Sequence, residues 1–147
     1  MLRGSHLTRV DEKGRLKLPA EFKRWLEEKY GASFYITSRN GHRAQIYPMP
    51  EWEKFETQLS DIPDFDPAKS KLQDRLSYYG QTAEMDPQGR VLIPQILREA
   101  ANISGDVLVI GKGTYLEVVN HEAFRKSLEE NPMSQDDNVA LSKYRLG

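Results

Sequence analysis

Short runs of alternating apolar and polar residues, broken by Gly, Asn, Asp and Pro, dominate this chain. Leu7-Thr8-Arg9-Val10 alternates and predicts a half-buried strand. Asp11 to Gly14 reads as a turn, with Asp opening it and Gly supplying a positive φ near its end. Arg15-Leu16-Lys17-Leu18 alternates again, which sets Leu16 and Leu18 on one face and Arg15 and Lys17 on the other. Pro19 suits the first position of a helix, and Phe22, Trp25, Leu26 and Tyr30 make its single apolar stripe before Gly31 ends it. Phe34-Tyr35-Ile36-Thr37 and Gln45-Ile46-Tyr47 predict paired strands around the Asn40-Gly41 hairpin signal. Pro50 and Glu51 then open a helix bearing Trp52, Phe55 and Leu59.

The pattern restarts after an acidic, proline-rich connector, Asp61 to Pro67, and a helix capped by Asp66 with the stripe Leu72, Leu76 and Tyr79. Thr82 to Met85 is a strand, Gln95 to Ala101 a short helix, and the segments around Val107 and Val118 a pair of strands joined at Lys112-Gly113. Asn120 caps a last helix with Ala123, Phe124 and Leu128. Each half therefore reads β-β-α-β-β-α. The boundaries are 1–60 for the first unit, 61–81 for the connector and linking helix, and 82–130 for the second unit. A polar tail at 131–147 is expected to be poorly ordered.

One nonamer ties the halves together. Asp11-Glu12-Lys13-Gly14-Arg15-Leu16-Lys17-Leu18-Pro19 returns as Asp86-Pro87-Gln88-Gly89-Arg90-Val91-Leu92-Ile93-Pro94, with Asp, Gly, Arg and Pro all recurring at one constant offset. Repetition on the scale of half a chain marks two copies of one unit. A unit of four short strands buries too little surface alone, so the copies are expected to pack about a pseudo-two-fold axis. The predicted fold is α+β, mainly β, a closed or split barrel built from both units with helices on its flanks.

Composition narrows the function classes. The chain has 147 residues, 38% hydrophobic and 29% charged, without the run of roughly 18 apolar residues that a membrane span needs. Its first residues lack the apolar stretch of a signal peptide, which makes the cytoplasm the expected compartment. It contains no cysteine, which excludes disulfide frameworks and thiol catalysis. His6, His42 and His121 show no metal-ligand spacing, so neither a metal nor a cofactor is expected. Net charge is only −1, yet the first 50 residues carry ten Lys/Arg against five Asp/Glu. That third of the chain is the expected attraction for a polyanion.

The doubled Asp-x-x-Gly-Arg turn, each copy followed by apolar-x-apolar-Pro and a helix, resembles the MraZ family. Arg3-Gly4 ahead of the first strand and Tyr47-Pro48-Met49-Pro50-Glu51-Trp52 fit the same resemblance, which runs from residue 1 to about residue 130. It implies a double-split β-barrel of the swapped-hairpin AbrB type with both halves in one chain. It also implies a transcriptional regulator, nucleoid-associated, that binds short direct repeats of double-stranded DNA upstream of its own division and cell-wall operon. Assembly into a ring-shaped homo-oligomer is a further implication, as is a DNA-contact role for Asp11–Arg15 and Asp86–Arg90.

The residues support part of this by themselves. Arginine can grip a guanine edge or a phosphate with two nitrogens, and a hairpin tip can enter a groove. One Asp-x-x-Gly-Arg is ordinarily just a turn. Two with matching flanks weaken that reading, because folding needs the Gly and Pro but not the Arg. Arg15 and Arg90 are therefore the candidate DNA contacts, with Lys13 and Lys17 beside the first, while Arg3 and Arg9 could supplement that face or be ordinary solvated charge. Asp11, Gly14, Pro19, Asp86, Gly89 and Pro94 shape the two turns. Since Gln88 and Leu92 replace Lys13 and Lys17 in the second copy, the first copy is expected to bind more strongly. Arg39, His42 and Arg43 read as a charged loop, and Gly111-Lys112-Gly113-Thr114 as a hairpin turn, not a phosphate loop.

Two other classes compete. Twin aspartates could form an acid–base dyad, but the adjacent arginines would hold both ionised, so no enzyme and no small-molecule substrate is expected. An AbrB/MazE-like protein-binding module with no direct DNA role would want a long amphipathic C-terminal segment, of which residues 131–147 supply little.

Overall fold

The computed structural model describes residues 1–146. Eight antiparallel strands form a nearly closed barrel: β1 (Ser5–Val10), β2 (Arg15–Lys17), β3 (Ser33–Thr37), β4 (Ala44–Pro48), β5 (Gln81–Glu84), β6 (Arg90–Leu92), β7 (Gly105–Gly111) and β8 (Leu116–Asn120). Six helices complete it: α1 (Ala20–Lys29), α2 (Met49–Ser60), α3 (Pro67–Tyr78), α4 (Gln95–Ala100), α5 (His121–Glu130) and α6 (Gln135–Ser142). The fold is α+β and mainly β, as the alternation predicts.

The strand order is β5-β3-β4-β8-β7-β1-β2-β6. Exchanging each strand of the first unit for its counterpart in the second maps this order onto itself, with β5 and β6 meeting across the seam. The first strand of each unit reaches across to the other unit: β1 pairs along its length with β7 while keeping the Val10↔Leu16 pairing with β2, and β5 pairs with β3. β2 pairs with β6, and β4 with β8, across the pseudo-axis. This is the swapped-hairpin, double-split arrangement. It follows from the burial demand, since neither unit's strands could cover their apolar faces without the other's.

The core pairs residues that lie at the nonamer offset in the sequence. Leu16, Leu18, Phe22 and Leu26 are buried together with Val91, Ile93, Leu97 and Ala101, their counterparts in the second unit. Pro19 and Pro94 adopt nearly the same backbone, with φ −55° and ψ 139° for the first and φ −55° and ψ 140° for the second. Each stands at the helix N-cap and not inside the first turn as expected. The extended ψ lets the residue finish its strand, while its carbonyl already accepts from Lys23 N or Arg98 N.

A second apolar cluster lies on the first half. Tyr47, Trp52 and Leu76 are buried, packed with Tyr35, Phe55, Leu59, Leu72 and Tyr115. The linking helix α3 is bound there, because Tyr35 and Thr37 hydroxyls both donate to the Leu76 carbonyl, at 3.2 and 2.8 Å.

One expectation is overturned. The tail is not without structure: α6 begins at a capping box in which Ser134 Oγ accepts from Asp137 N and Asp137 Oδ2 accepts from Ser134 N. Reciprocal caps satisfy two orphan donors and let a short helix form without burial. None of its residues is buried.

Candidate nucleic-acid interface

Both turns are built the same way from local chemistry. Asp11 N donates to Arg15 O at 3.0 Å and Gly14 N to Asp11 O at 2.9 Å. In the second copy Asp86 N donates to Arg90 O and Gly89 N to Asp86 O, both at 2.9 Å. Asp11 Oδ1 accepts from the backbone of Lys13 and Arg15, and Asp86 Oδ1 from that of Gln88 and Arg90. This side-chain cap is the reason an aspartate opens each turn. The glycines close it with φ +87° at Gly14 and +77° at Gly89, where a side chain would be strained.

The second carboxylate oxygen holds the arginine. Arg15 Nε donates to Asp11 Oδ2 at 2.8 Å, and Arg90 Nε to Asp86 Oδ2 at 2.8 Å. Each guanidinium is thus gripped by its Nε edge, and its terminal nitrogens have no hydrogen-bond partner among the described residues. About a third of each side chain is exposed, 33% for Arg15 and 27% for Arg90. Hydrogen bonds from the Arg15 backbone N–H, and then from its guanidinium, hold the Asp11 carboxyl below its ordinary pKa, against an opposing desolvation effect. Arg90 does the same for Asp86. Both carboxylates therefore favour the charged form.

The turns also touch each other. Leu18 N donates to Gly89 O and Ile93 N to Gly14 O, both at 2.9 Å. Between these bonds β2 and β6 run side by side in the register Arg15↔Leu92, Leu16↔Val91 and Lys17↔Arg90. Leu16 and Val91 are buried, so Arg15, Lys17, Arg90 and Leu92 share the outer face of one two-stranded ribbon. Helices brace it from behind: Arg98 of α4 lies over Gly14, and Lys23 of α1, its counterpart, lies over Gly89.

This register changes the charge comparison drawn from the sequence. Lys17 follows Arg15 along the outer face of β2 but faces Arg90 across the ribbon, and its Nζ donates to the Gln88 carbonyl of the second turn. Arg15 faces Leu92 instead. Pairing between strands far apart in the chain hands the first copy's lysine to the second copy's arginine.

The other candidates divide. Lys13 sits in the first turn with its side chain exposed. Arg9 is on the outward face of β1, close to the turn, and is paired with Asp106 at 3.0 Å with both partners largely solvated. Arg3 lies at the far end of β1, beside the β7–β8 turn where Leu2 bridges to Gly113, and the structure does not bring it to the ribbon. Arg39 lies over the Phe55 ring and donates to the Tyr47 hydroxyl, while Arg43 pairs with Glu117 at 3.1 Å. These loop cations have structural partners. Among the described residues no group of three or more His, Cys, Asp or Glu side chains could hold a metal, and no helix is long and apolar enough to cross a membrane. Sequence reading counts Leu92 only as a lost lysine; the register adds that it stands directly across from Arg15.

Comparison with known proteins adds a family. A family model described as "MraZ protein, putative antitoxin-like" matches residues 1–75 and 80–143. The chain is 60% identical to a transcriptional regulator MraZ of Acidobacterium capsulatum, over 99% of this chain and 100% of that one. It is 50% identical to one of Koribacter versatilis, over 97% of each. At 31% identity it matches one of Methylobacillus flagellatus over 88% of each chain.

Proposed function

The chain belongs to the MraZ family, and from that premise we propose that it is a sequence-specific DNA-binding regulator whose β2–β6 ribbon is the contact surface. The observation that carries this reading is the pair of arginines, each fixed by its own aspartate and each turned outward on one joined ribbon. The major groove admits a two-stranded β-ribbon, and a guanidinium with free terminal nitrogens suits the O6/N7 edge of guanine or a phosphate. Asp11 and Asp86 fix the rotamers of Arg15 and Arg90 before DNA arrives, and that preorganisation strengthens such a contact.

One ribbon touches few phosphates. A ring-shaped homo-oligomer presenting several ribbons to short direct repeats converts weak contacts into tight binding. The proposed target is the double-stranded DNA upstream of the protein's own division and cell-wall operon, which makes the site of action the cytoplasmic nucleoid. Lys13, Lys17 and Arg9 supply phosphate contacts around the arginines; Arg3, at the far end of β1, contributes only if the DNA path extends there.

A mobility-shift titration of the upstream region tests the reading. Wild type is expected to retard it, with affinity falling steeply as salt rises. Arg15→Ala is expected to lose the complex while keeping its melting temperature and its oligomer. An Arg15→Ala variant that binds as tightly as wild type would refute the assignment. A protein-binding module with no DNA role would give no retarded band at all.

A further inference from the structure

Three of the four outward residues of the ribbon are cations, and the fourth is Leu92. Its neighbours Val91 and Ile93 are buried in the barrel, at 1% and 0% exposure, whereas Leu92 is 46% exposed. It gains nothing from the core. A single exposed leucine is unremarkable on most surfaces, but this one occupies the place that Lys17 holds in the first copy, directly across from Arg15. A face selected only for attraction to phosphate would keep the lysine.

We infer that Leu92 is a specificity-determining residue that packs against the C5-methyl group of thymine next to the base pair contacted by Arg15. This rests on the DNA-binding reading of the ribbon. Apolar side chains distinguish thymine in the major groove through that methyl group, which no other base presents. Directly opposed residues on a ribbon have Cβ atoms about 5 Å apart, and bases along a strand are about 3.4 Å apart. A side chain opposite Arg15 therefore meets a base one or two steps from the one that Arg15 reads. The symmetry-related row, Arg90 with Lys17, carries no apolar group and has no such preference. Each ribbon then reads an asymmetric site.

The test uses the full-length protein and two duplexes of its upstream region, one natural and one with deoxyuridine in place of thymidine. That exchange keeps base pairing and removes only the methyl group. Wild type is expected to bind the uracil duplex about fourfold more weakly per contacted repeat, the factor that burial of one methyl-sized group supplies. Leu92→Ala and Leu92→Lys are expected to bind both duplexes equally and to remain dependent on Arg15; melting temperatures near wild type show that the barrel is intact. Arg15-dependent binding by wild type with no preference for thymidine overturns the Leu92 inference alone. A Leu92→Ala protein that keeps the full preference also overturns it. Wild type that fails to retard either duplex removes both this inference and the reading beneath it.

Discussion

The turn at Asp11–Arg15 and the turn at Asp86–Arg90 have the same backbone hydrogen bonds, the same aspartate cap and the same 2.8 Å carboxylate–guanidinium contact. What stands beside them differs. Arg90 has Lys17 across the ribbon and Arg15 has Leu92. The first turn carries Glu12 and Lys13 at its tip, the second Pro87 and Gln88. The parts that shape and hold each arginine match, and the surroundings do not. The shared parts set a common geometry; in the proposed reading the neighbours then divide the work, with Arg90 and Lys17 assigned to electrostatic grip and Arg15 and Leu92 to discrimination between sequences.

The largest effects are expected at the arginines. Removing a two-nitrogen contact to a base costs about 1–3 kcal/mol, so Arg15→Ala should weaken binding by roughly 5- to 150-fold per contacted repeat, compounded across an oligomer. Its loss should fall on the cognate sequence more than on unrelated DNA, measured as the ratio of the two affinities. Arg90→Ala should weaken both more evenly. Identical ratios for the two variants would erase the proposed division.

The glycines come next, through stability. A Cβ at Gly14 would collide with the Arg98 guanidinium, which is tied by its Nε to the Ile93 carbonyl at 2.9 Å. At Gly89 the obstacle is the aliphatic part of Lys23, a more flexible side chain. Both substitutions cost about 1–2 kcal/mol for the left-handed backbone, and Gly14→Ala adds the displacement of its tethered neighbour. Thermal melting should drop by a few degrees for both, with Gly14→Ala the lower. Equal losses would show that the brace behind the ribbon is as yielding on both sides.

Lys17→Leu makes the two rows alike and is expected to do less. It should reduce the slope of log affinity against log salt by about one per ribbon, with little change in sequence preference. An unchanged slope would place Lys17 off the phosphates, satisfied by the Gln88 carbonyl it already contacts.

The smallest effect tests the equivalence of the aspartates. Both have folded-state pKa values below the ordinary carboxylate value, led by the backbone N–H of Arg15 for one and of Arg90 for the other. Below about pH 4 the unfolded chain takes up these protons before the folded one does. Their contribution to stability is therefore complete at neutral pH and is lost as pH falls through the folded values. Melting temperature followed from neutral pH down into the acid range should decline, and Asp11→Asn and Asp86→Asn should flatten that decline equally. Unequal flattening would mean that the twin carboxylates are not in twin environments.

Much of this was legible in the sequence because it is local. Alternation around Leu16 and Val91, the Asp and Gly of each turn, and the caps at Asp66 and Asn120 act over a few residues, and the structure bears them out. The constant offset between the nonamers made two-fold packing readable as well. Strand partnership was not readable at the level of single residues. Which residues of β6 face Arg15 and Lys17 depends on the β2–β6 register, a contact between distant segments that no local pattern encodes. The grip of Asp11 Oδ2 on Arg15 Nε needs the turn's geometry first. Helix α6 had a signal, Ser134-x-x-Asp137, outweighed by the polar character of the tail.

The most direct test of the ribbon is a salt-controlled shift titration of the upstream DNA with wild type, Arg15→Ala, Arg90→Ala and the double variant. If the turns form one contact surface, each single variant loses cognate binding by at least about fivefold while the oligomer and melting temperature stay at wild-type values. The double variant should then bind no better than the weaker single one. Wild-type affinity in the double variant would contradict the account.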